Sequence, residues 1–153
     1  MVFVSVGTQK QSFKRLFHFI EDSKMLENER IIAQTGHTEF KSSKIEIIPF
    51  MSNELYKEYI KKSDLVICHG GVGTIFDALY AEKKVLAVPR LAKYEEHVDD
   101  HQIEICSELE KEGYIVYLKD NEMLDDALNR ILNNNFKKYI PNEGYLDILR
   151  KEI

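Results

Sequence analysis

One segment limits what this chain can become more than any other: Leu65-Val66-Ile67-Cys68-His69-Gly70-Gly71-Val72-Gly73-Thr74. Its apolar start reads as a short buried strand that stops at a glycine turn. The spacing predicts a helix directly behind it, from Thr74 to Ala81. The glycines at 70, 71 and 73 let the backbone turn sharply and approach a ligand closely. A helix N-terminus leaves unpaired N–H groups and the positive end of a dipole. The turn therefore suits a phosphate or diphosphate.

The rest of the chain repeats this alternation of short apolar runs and helical patterns. Val2 to Val6 reads as a strand ending in Gly7-Thr8-Gln9. Phe13 to about Asn28 has helical spacing, with Phe13, Leu16, Phe17 and Ile20 on one face. Arg30 to Gln34 is a second strand ended by Thr35-Gly36, and Ile45 to Ile48 a third closed by Pro49. Ser52 to Lys62 is helical, with Ser52 or Asn53 as its cap and Leu55, Tyr59 and Ile60 as apolar contacts. Beyond the glycine turn, Val85 to Val88 is a strand stopped by Pro89. Asp100 to Glu112 is a helix ended by Gly113, Ile115 to Leu118 the last strand, and Met123 to Asn133 a further helix. From Tyr139 onward the spacing weakens, with Tyr145, Leu146, Ile148 and Leu149 set for a short amphipathic helix.

This pattern predicts one α/β domain over residues 1–153, with a doubly wound, Rossmann-like parallel sheet covered on both faces. In such folds ligands sit at the carboxyl ends of strands, where the strand order reverses. In the commonest order the first and fourth strands flank that point. Their ends here are Gly7-Thr8-Gln9 and His69-Gly70-Gly71.

Composition excludes several classes. A net charge of −5 and a pI near 5.6 leave no basic face for nucleic acid and no polybasic patch for a membrane surface. Two cysteines, Cys68 and Cys106, are too few for a disulfide framework and are expected to be reduced and packed, as in a cytosolic protein. No apolar run reaches the roughly 18 residues of a membrane span, and the first residues lack the basic flank of a signal peptide. The turn is no P-loop, because no Gly-Lys-Ser/Thr follows it. Nor is it the dinucleotide fingerprint, which follows the first strand and not the fourth.

Other polar groups fall on the ligand side of the expected sheet. Asp77 lies one turn into the helix, from where a carboxylate reaches ribose hydroxyls; the other reading is an acid suited to a helix's first turn. Glu95 to Gln102 is dense in hydroxyl-binding groups, and reads either as a sugar-contacting segment or as a solvated loop capping a helix. His69 ends an apolar strand and is either structural or functional, and His37 follows the Thr35-Gly36 turn toward the same cleft. His18, Glu27, Glu29 and the run Lys57 to Lys62 read as solvated helix faces.

The order of these motifs resembles the carboxyl-terminal, donor-binding half of GT-B glycosyltransferases of family 28. It is most similar to small catalytic subunits of two-component enzymes, among them the dolichol-pathway GlcNAc transferase and bacterial capsule and exopolysaccharide transferases. The resemblance rests on Val2 to Gln9, Gln34-Thr35-Gly36, Pro49-Phe50-Met51, Ser63 to Thr74, Val88-Pro89-Arg90 and Glu96 to Gln102, and runs to about Gly113. It implies that Gly70, Gly71, Val72, Gly73 and Thr74 hold a diphosphate, and it sets His69 among the donor-binding residues. It places Asp77 on the ribose, as an Asp where Glu is often found. Phe50 and Met51 fall at the uracil, though both also read as core residues. His101 and Gln102 fall at the donor sugar, and Gly7 and Thr8 beside the phosphates and the acceptor. Candidates for the base are His97, Asp99 and Asp100, with a partner subunit an equal contender.

A GT-B enzyme needs two such domains, and this length has room for one. The expectation is a donor-binding, inverting hexosyltransferase subunit in capsular or exopolysaccharide synthesis. Its UDP-sugar is the substrate and no separate cofactor is implied. With no Asp-x-Asp motif, no obligatory divalent ion is expected. A membrane-anchored, acceptor-binding partner would complete a heterodimer, recruit the chain from the cytoplasm to the inner face of the membrane, and present a lipid-linked glycan. The tail 139–153 is a candidate docking segment for that partner, or packs on the chain's own sheet. Galactose in a β1,4 linkage is the favoured transfer, and Arg90 and Lys93 either meet a sugar carboxylate or face water. The alternatives are a non-catalytic nucleotide-sugar-binding module that regulates a polysaccharide assembly, and a UDP-sugar epimerase relative, which would need both domains in one chain.

Overall fold

The computed structural model describes residues 1–140. Elements follow in the order β1 (Val2–Ser5), α1 (Lys14–Asp22), β2 (Ile31–Gln34), β3 (Ile45–Ile48), α2 (Asn53–Lys62), β4 (Leu65–His69), α3 (Val72–Tyr80), β5 (Lys84–Val88), a 3-10 turn (Ala92–Tyr94), α4 (His101–Lys111), β6 (Val116–Tyr117) and α5 (Leu124–Asn133). The six strands form one sheet in the order β3-β2-β1-β4-β5-β6. Every neighbouring pair is parallel. The sheet is therefore doubly wound, and its order reverses between β1 and β4, where Ser5 pairs with Cys68. Parallel strands end at one edge, so the turns after β1 and β4 emerge side by side.

Side chains alternate across each strand, and the alternation divides the core in two. Val4, Ile67 and Leu86 face one layer, closed by Leu16, Phe17 and Ile20 of α1 and Leu124, Leu128 and Ile131 of α5. Phe3, Val66, Cys68 and Ala87 face the other, closed by Ile60 of α2, Ile75 and Leu79 of α3, and Ile105 and Leu109 of α4. Both cysteines are buried.

The structure departs from the sequence expectation at the end of α1 and at the start of α3. Helix α1 stops at Asp22, well short of Asn28. There Ser23 bonds through its hydroxyl to Asp125 of α5 and accepts the Leu26 N–H, so residues 24–29 become turns. The crossover from β2 to β3, residues 35–44, contains no helix. Helix α3 begins at Val72, two residues before the expected start, with Gly71 as its N-cap. Of the two caps expected for α2, Ser52 takes the place, its hydroxyl accepting the Leu55 N–H at 3.1 Å. Tyr145, Leu146, Ile148 and Leu149 lie outside the described residues.

Candidate functional site

The two turns at the sheet's reversal point are built around one imidazole. Gly7 has φ +73°, which an L side chain rarely adopts, and a β-carbon there would lie 2.7 Å from His69 Nε2. One on Gly71 would lie 2.1 Å from His69 Cε1. His69 thus fills the notch between both turns and is itself 8% exposed. Burial above all, then the Arg90 and His97 charges, pushes its pKa down to about 3. The ring is neutral at ordinary pH.

Gln102, 4% exposed on the first turn of α4, lies directly beneath. Its Oε1 accepts the N–H of Gly70 at 3.0 Å and of Arg90 at 2.9 Å. Its Nε2 lies 3.3 Å from His69 Nδ1. The carboxamide so pins the ends of β4 and β5 to α4.

Arg90 corrects the expectation of a residue that meets a sugar carboxylate or faces water. It is fully buried. Its guanidinium donates from Nη1 to the carbonyls of Gln11 at 2.8 Å and Glu96 at 3.0 Å, and from Nη2 to Val6 at 2.7 Å. It packs on the Phe13 ring, 4.9 Å from its centroid. Burial lowers its pKa to about 10, against the attraction of Glu96. Among the described residues its Nε has no partner.

Glu96 is also buried. Arg15 grips it with two parallel bonds of 2.8 Å, from Nε and Nη2, and the Leu91 N–H donates to it at 3.0 Å. The three loops beyond β1, β4 and β5 are therefore cross-braced from below. Lys93 is paired with Asp120.

Above this base, the first turn of α3 presents Val72 and Gly73, with Gly73 exposed and Thr74 buried. A β-carbon on Gly73 would meet nothing within 4 Å. Asp77 is exposed one turn on. The Tyr56 phenol of α2 is in hydrogen-bonding contact with both Thr74 and Asp77, and burial raises its pKa.

Phe50 is 52% exposed, with the His37 ring edge-on at 5.2 Å. It is therefore no core residue, whereas Met51 packs against the core layer under α2.

The segment before α4 is knit by Asp99. Its backbone nitrogen lies 3.2 Å from His97 Nδ1, and its carboxylate lies 3.1 Å from that atom and 3.4 Å from His101 Nδ1. The His101 N–H above all holds the Asp99 carboxyl below its ordinary pKa. Asp100 accepts the Ala92 N–H at 2.9 Å, which ties it to the loop after β5. An open hollow of about 580 Å³, lined by Thr8, Gln9, Lys10, Gln11, His97 and Val98, joins the β1 turn to this segment.

The structure thus brings Gly7, Thr8, His69, the 70–74 turn, His97 and Gln102 to one edge of the sheet. His101 is exposed beside them and Gln102 lies beneath. Arg15 and Tyr56 carry no sequence signal of their own. Each acts through partners distant in the chain.

Comparison with known proteins agrees with this architecture. A family model described as Glycosyltransferase family 28 C-terminal domain matches residues 1–144. The chain is 33% identical over 96 residues to the UDP-N-acetylglucosamine transferase subunit ALG13 of Candida albicans, covering 63% of this chain and 30% of that protein. It is 36% identical over 85 residues to a UDP-N-acetylglucosamine--N-acetylmuramyl-(pentapeptide) pyrophosphoryl-undecaprenol N-acetylglucosamine transferase of Clostridium botulinum (strain 657 / Type Ba4), covering 56% of this chain and 23% of that one. The chain thus spans less than a third of the length of either relative. A solution structure of ALG13 superposes with a TM-score of 0.61 at 18% identity, over 97% of this chain and 93% of that one. That likeness is one of fold.

Proposed function

The chain belongs to the family of glycosyltransferase family 28 C-terminal domains, and from that premise we propose that it is the donor-binding, catalytic subunit of a two-component UDP-sugar glycosyltransferase. The observation that carries this reading is the turn from β4 into α3, where Gly71 caps the helix and the space over Gly73 is open. The diphosphate of a UDP-sugar rests on the N–H groups of Gly71, Val72, Gly73 and Thr74. Asp77 accepts from the ribose. The exposed Phe50 ring and the backbone at Met51 take the uracil. His101 meets the sugar from the open side, and the buried Gln102 braces the turn from below.

Chemistry follows from this seating. UDP leaves as an anion, and the helix N-terminus and turn amides stabilise the developing charge without reorganising. A base removes the acceptor hydroxyl proton, and attack from the face opposite UDP inverts the anomeric carbon. His97 stands best placed in this chain, because it lines the hollow with Thr8. With its hydrogen on Nδ1, 3.1 Å from the Asp99 carboxylate, the ring keeps a lone pair on Nε2 for the acceptor proton. Asp99 braces the ring, and Asp100 is occupied by the Ala92 N–H. A second domain or subunit closes the crevice and shares this role.

No helix among the described residues is long and apolar enough to cross a membrane. Attachment to a lipid-linked acceptor at the inner membrane face is assigned to a membrane-anchored partner. The relatives' names carry N-acetylglucosamine, which makes UDP-GlcNAc the first donor to test. The galactose transfer and capsular role expected from the sequence draw no support from these relatives.

The test has two steps. Titration with UDP should perturb the amides of Gly71 to Thr74; binding elsewhere overturns the reading. The chain plus its partner is then offered UDP-GlcNAc, UDP-galactose, UDP-glucose and UDP-glucuronic acid with a lipid-linked acceptor. Transfer establishes the enzyme, and binding without transfer by the pair leaves a regulatory nucleotide-sugar module.

A further inference from the structure

We infer that Gln102 is a positioning residue whose carboxamide fixes the proton of His69 on Nε2, and so aims a neutral N–H donor into the notch between Gly7 and Gly71. The orientation of the carboxamide is settled by its partners. Two backbone N–H groups, of Gly70 and Arg90, point at one of its atoms from 3.0 and 2.9 Å. A backbone N–H only donates, so that atom is the oxygen. The other atom is then the amide nitrogen, itself a donor, and it lies 3.3 Å from His69 Nδ1. A donor facing Nδ1 requires a lone pair there, and a neutral imidazole with a lone pair on Nδ1 carries its hydrogen on Nε2.

The surroundings keep the ring neutral. The charged and titratable groups that act on it are Arg90, from the end of β5, and His97, from the loop before α4. Both repel an imidazolium. Nε2 would lie 2.7 Å from a β-carbon on Gly7 and 2.8 Å from one on Gly71, which places it between the two turns. Among the described residues no hydrogen bond accepts its hydrogen.

On the proposed function, the acceptor is an oxygen of the diphosphate seated on the 70–74 turn. One carboxamide then does two things: it clamps the ends of β4 and β5, and it selects the tautomer that can donate to an anion. His69 itself is therefore no base for the acceptor, since its lone pair faces Gln102.

The test is nitrogen NMR of the full chain with 15N-labelled histidine. The expected wild-type spectrum has His69 Nε2 protonated and Nδ1 unprotonated, unchanged from mildly acidic to mildly alkaline pH. A protonated Nδ1 overturns the inference without any variant. In Gln102→Glu the carboxylate still accepts both backbone N–H groups but no longer donates, so His69 Nδ1 should gain a proton while the Gly70 and Arg90 amide signals stay close to their wild-type positions. An unprotonated Nδ1 in that variant also overturns it. Added UDP should shift the Nε2–H signal, and UDP that binds at the turn without shifting it removes the donor role. If UDP fails to bind at all, the proposed function falls while the tautomer assignment stands on the first spectrum.

Discussion

A β-carbon on Gly71 would fall 2.1 Å from Cε1 of His69, so the residue that ends β4 and the residue that caps α3 are fitted to each other. The ring is wedged beneath two turns and cannot swing aside freely. Gly71→Ala is expected to cost about 1–3 kcal/mol, as overpacking does, and to lower UDP affinity more than tenfold by tilting the start of α3. Urea denaturation and UDP titration of the variant check both halves.

Gly73 separates stability from binding. It is exposed inside α3, and a methyl there meets nothing within 4 Å. Gly73→Ala should stabilise the chain by up to about 0.5–1 kcal/mol through helix propensity. The same methyl covers the amides that would hold the diphosphate, so UDP binding should weaken. A variant that melts higher and binds UDP unchanged would move the diphosphate off this turn.

Asp77 is exposed, and its removal should change stability by no more than about 1 kcal/mol. Asp77→Ala is expected to lose about tenfold in UDP affinity, the scale of one hydrogen bond to a charged group. It should also bind UDP and 2′,3′-dideoxy-UDP about equally, whereas the wild type prefers UDP. Calorimetric titration with both ligands measures this.

Arg90 is the structural hub of the site. Arg90→Met leaves the carbonyls of Val6, Gln11 and Glu96 without their donor in a buried place. A loss of about 3 kcal/mol or more is expected, read as a lower urea midpoint. Hydrogen exchange should rise in residues 7–11 and 95–98, and not in β4.

The pH dependence of stability has a definite sign. An unfolded histidine titrates near 6.5, while His69 in the fold titrates at about 3. Between those values the unfolded chain binds more protons, so the His69 contribution is complete above pH 6.5 and is lost as pH falls toward 3. His69→Gln should be less stable at neutral pH and show a flatter profile across that window. Urea midpoints from pH 7 down to 4 test it.

Much of the fold that frames the candidate site is legible in the sequence. The glycine turn ends a four-residue apolar run, which announced a βα unit, and the alternation along the chain implied the strand order that puts Gly7 beside Gly71. Chain-local signals marked Ser52 as a cap and Pro49 and Pro89 as strand stops. The end of α1 was not legible, because the residue that stops it, Ser23, is held by Asp125. Arg90 and Gln102 were misjudged in kind. As sequence they are polar residues near a ligand, and as structure they are buried braces.

Hydrophobic periodicity, turn chemistry and the placement of glycine act over a few residues, so the sequence by itself determined the layered α/β architecture and the sheet edge at which folds of this kind take a ligand. Which polar groups face that ligand, and which lie beneath it holding carbonyls and amides, depends on partners dozens of positions away. Arg90 reaches Val6 across 84 positions and Gln102 reaches His69 across 33. Only the packed sheet brings such groups within 3.5 Å, because burial leaves each one no water to turn to and selects the partner that satisfies it.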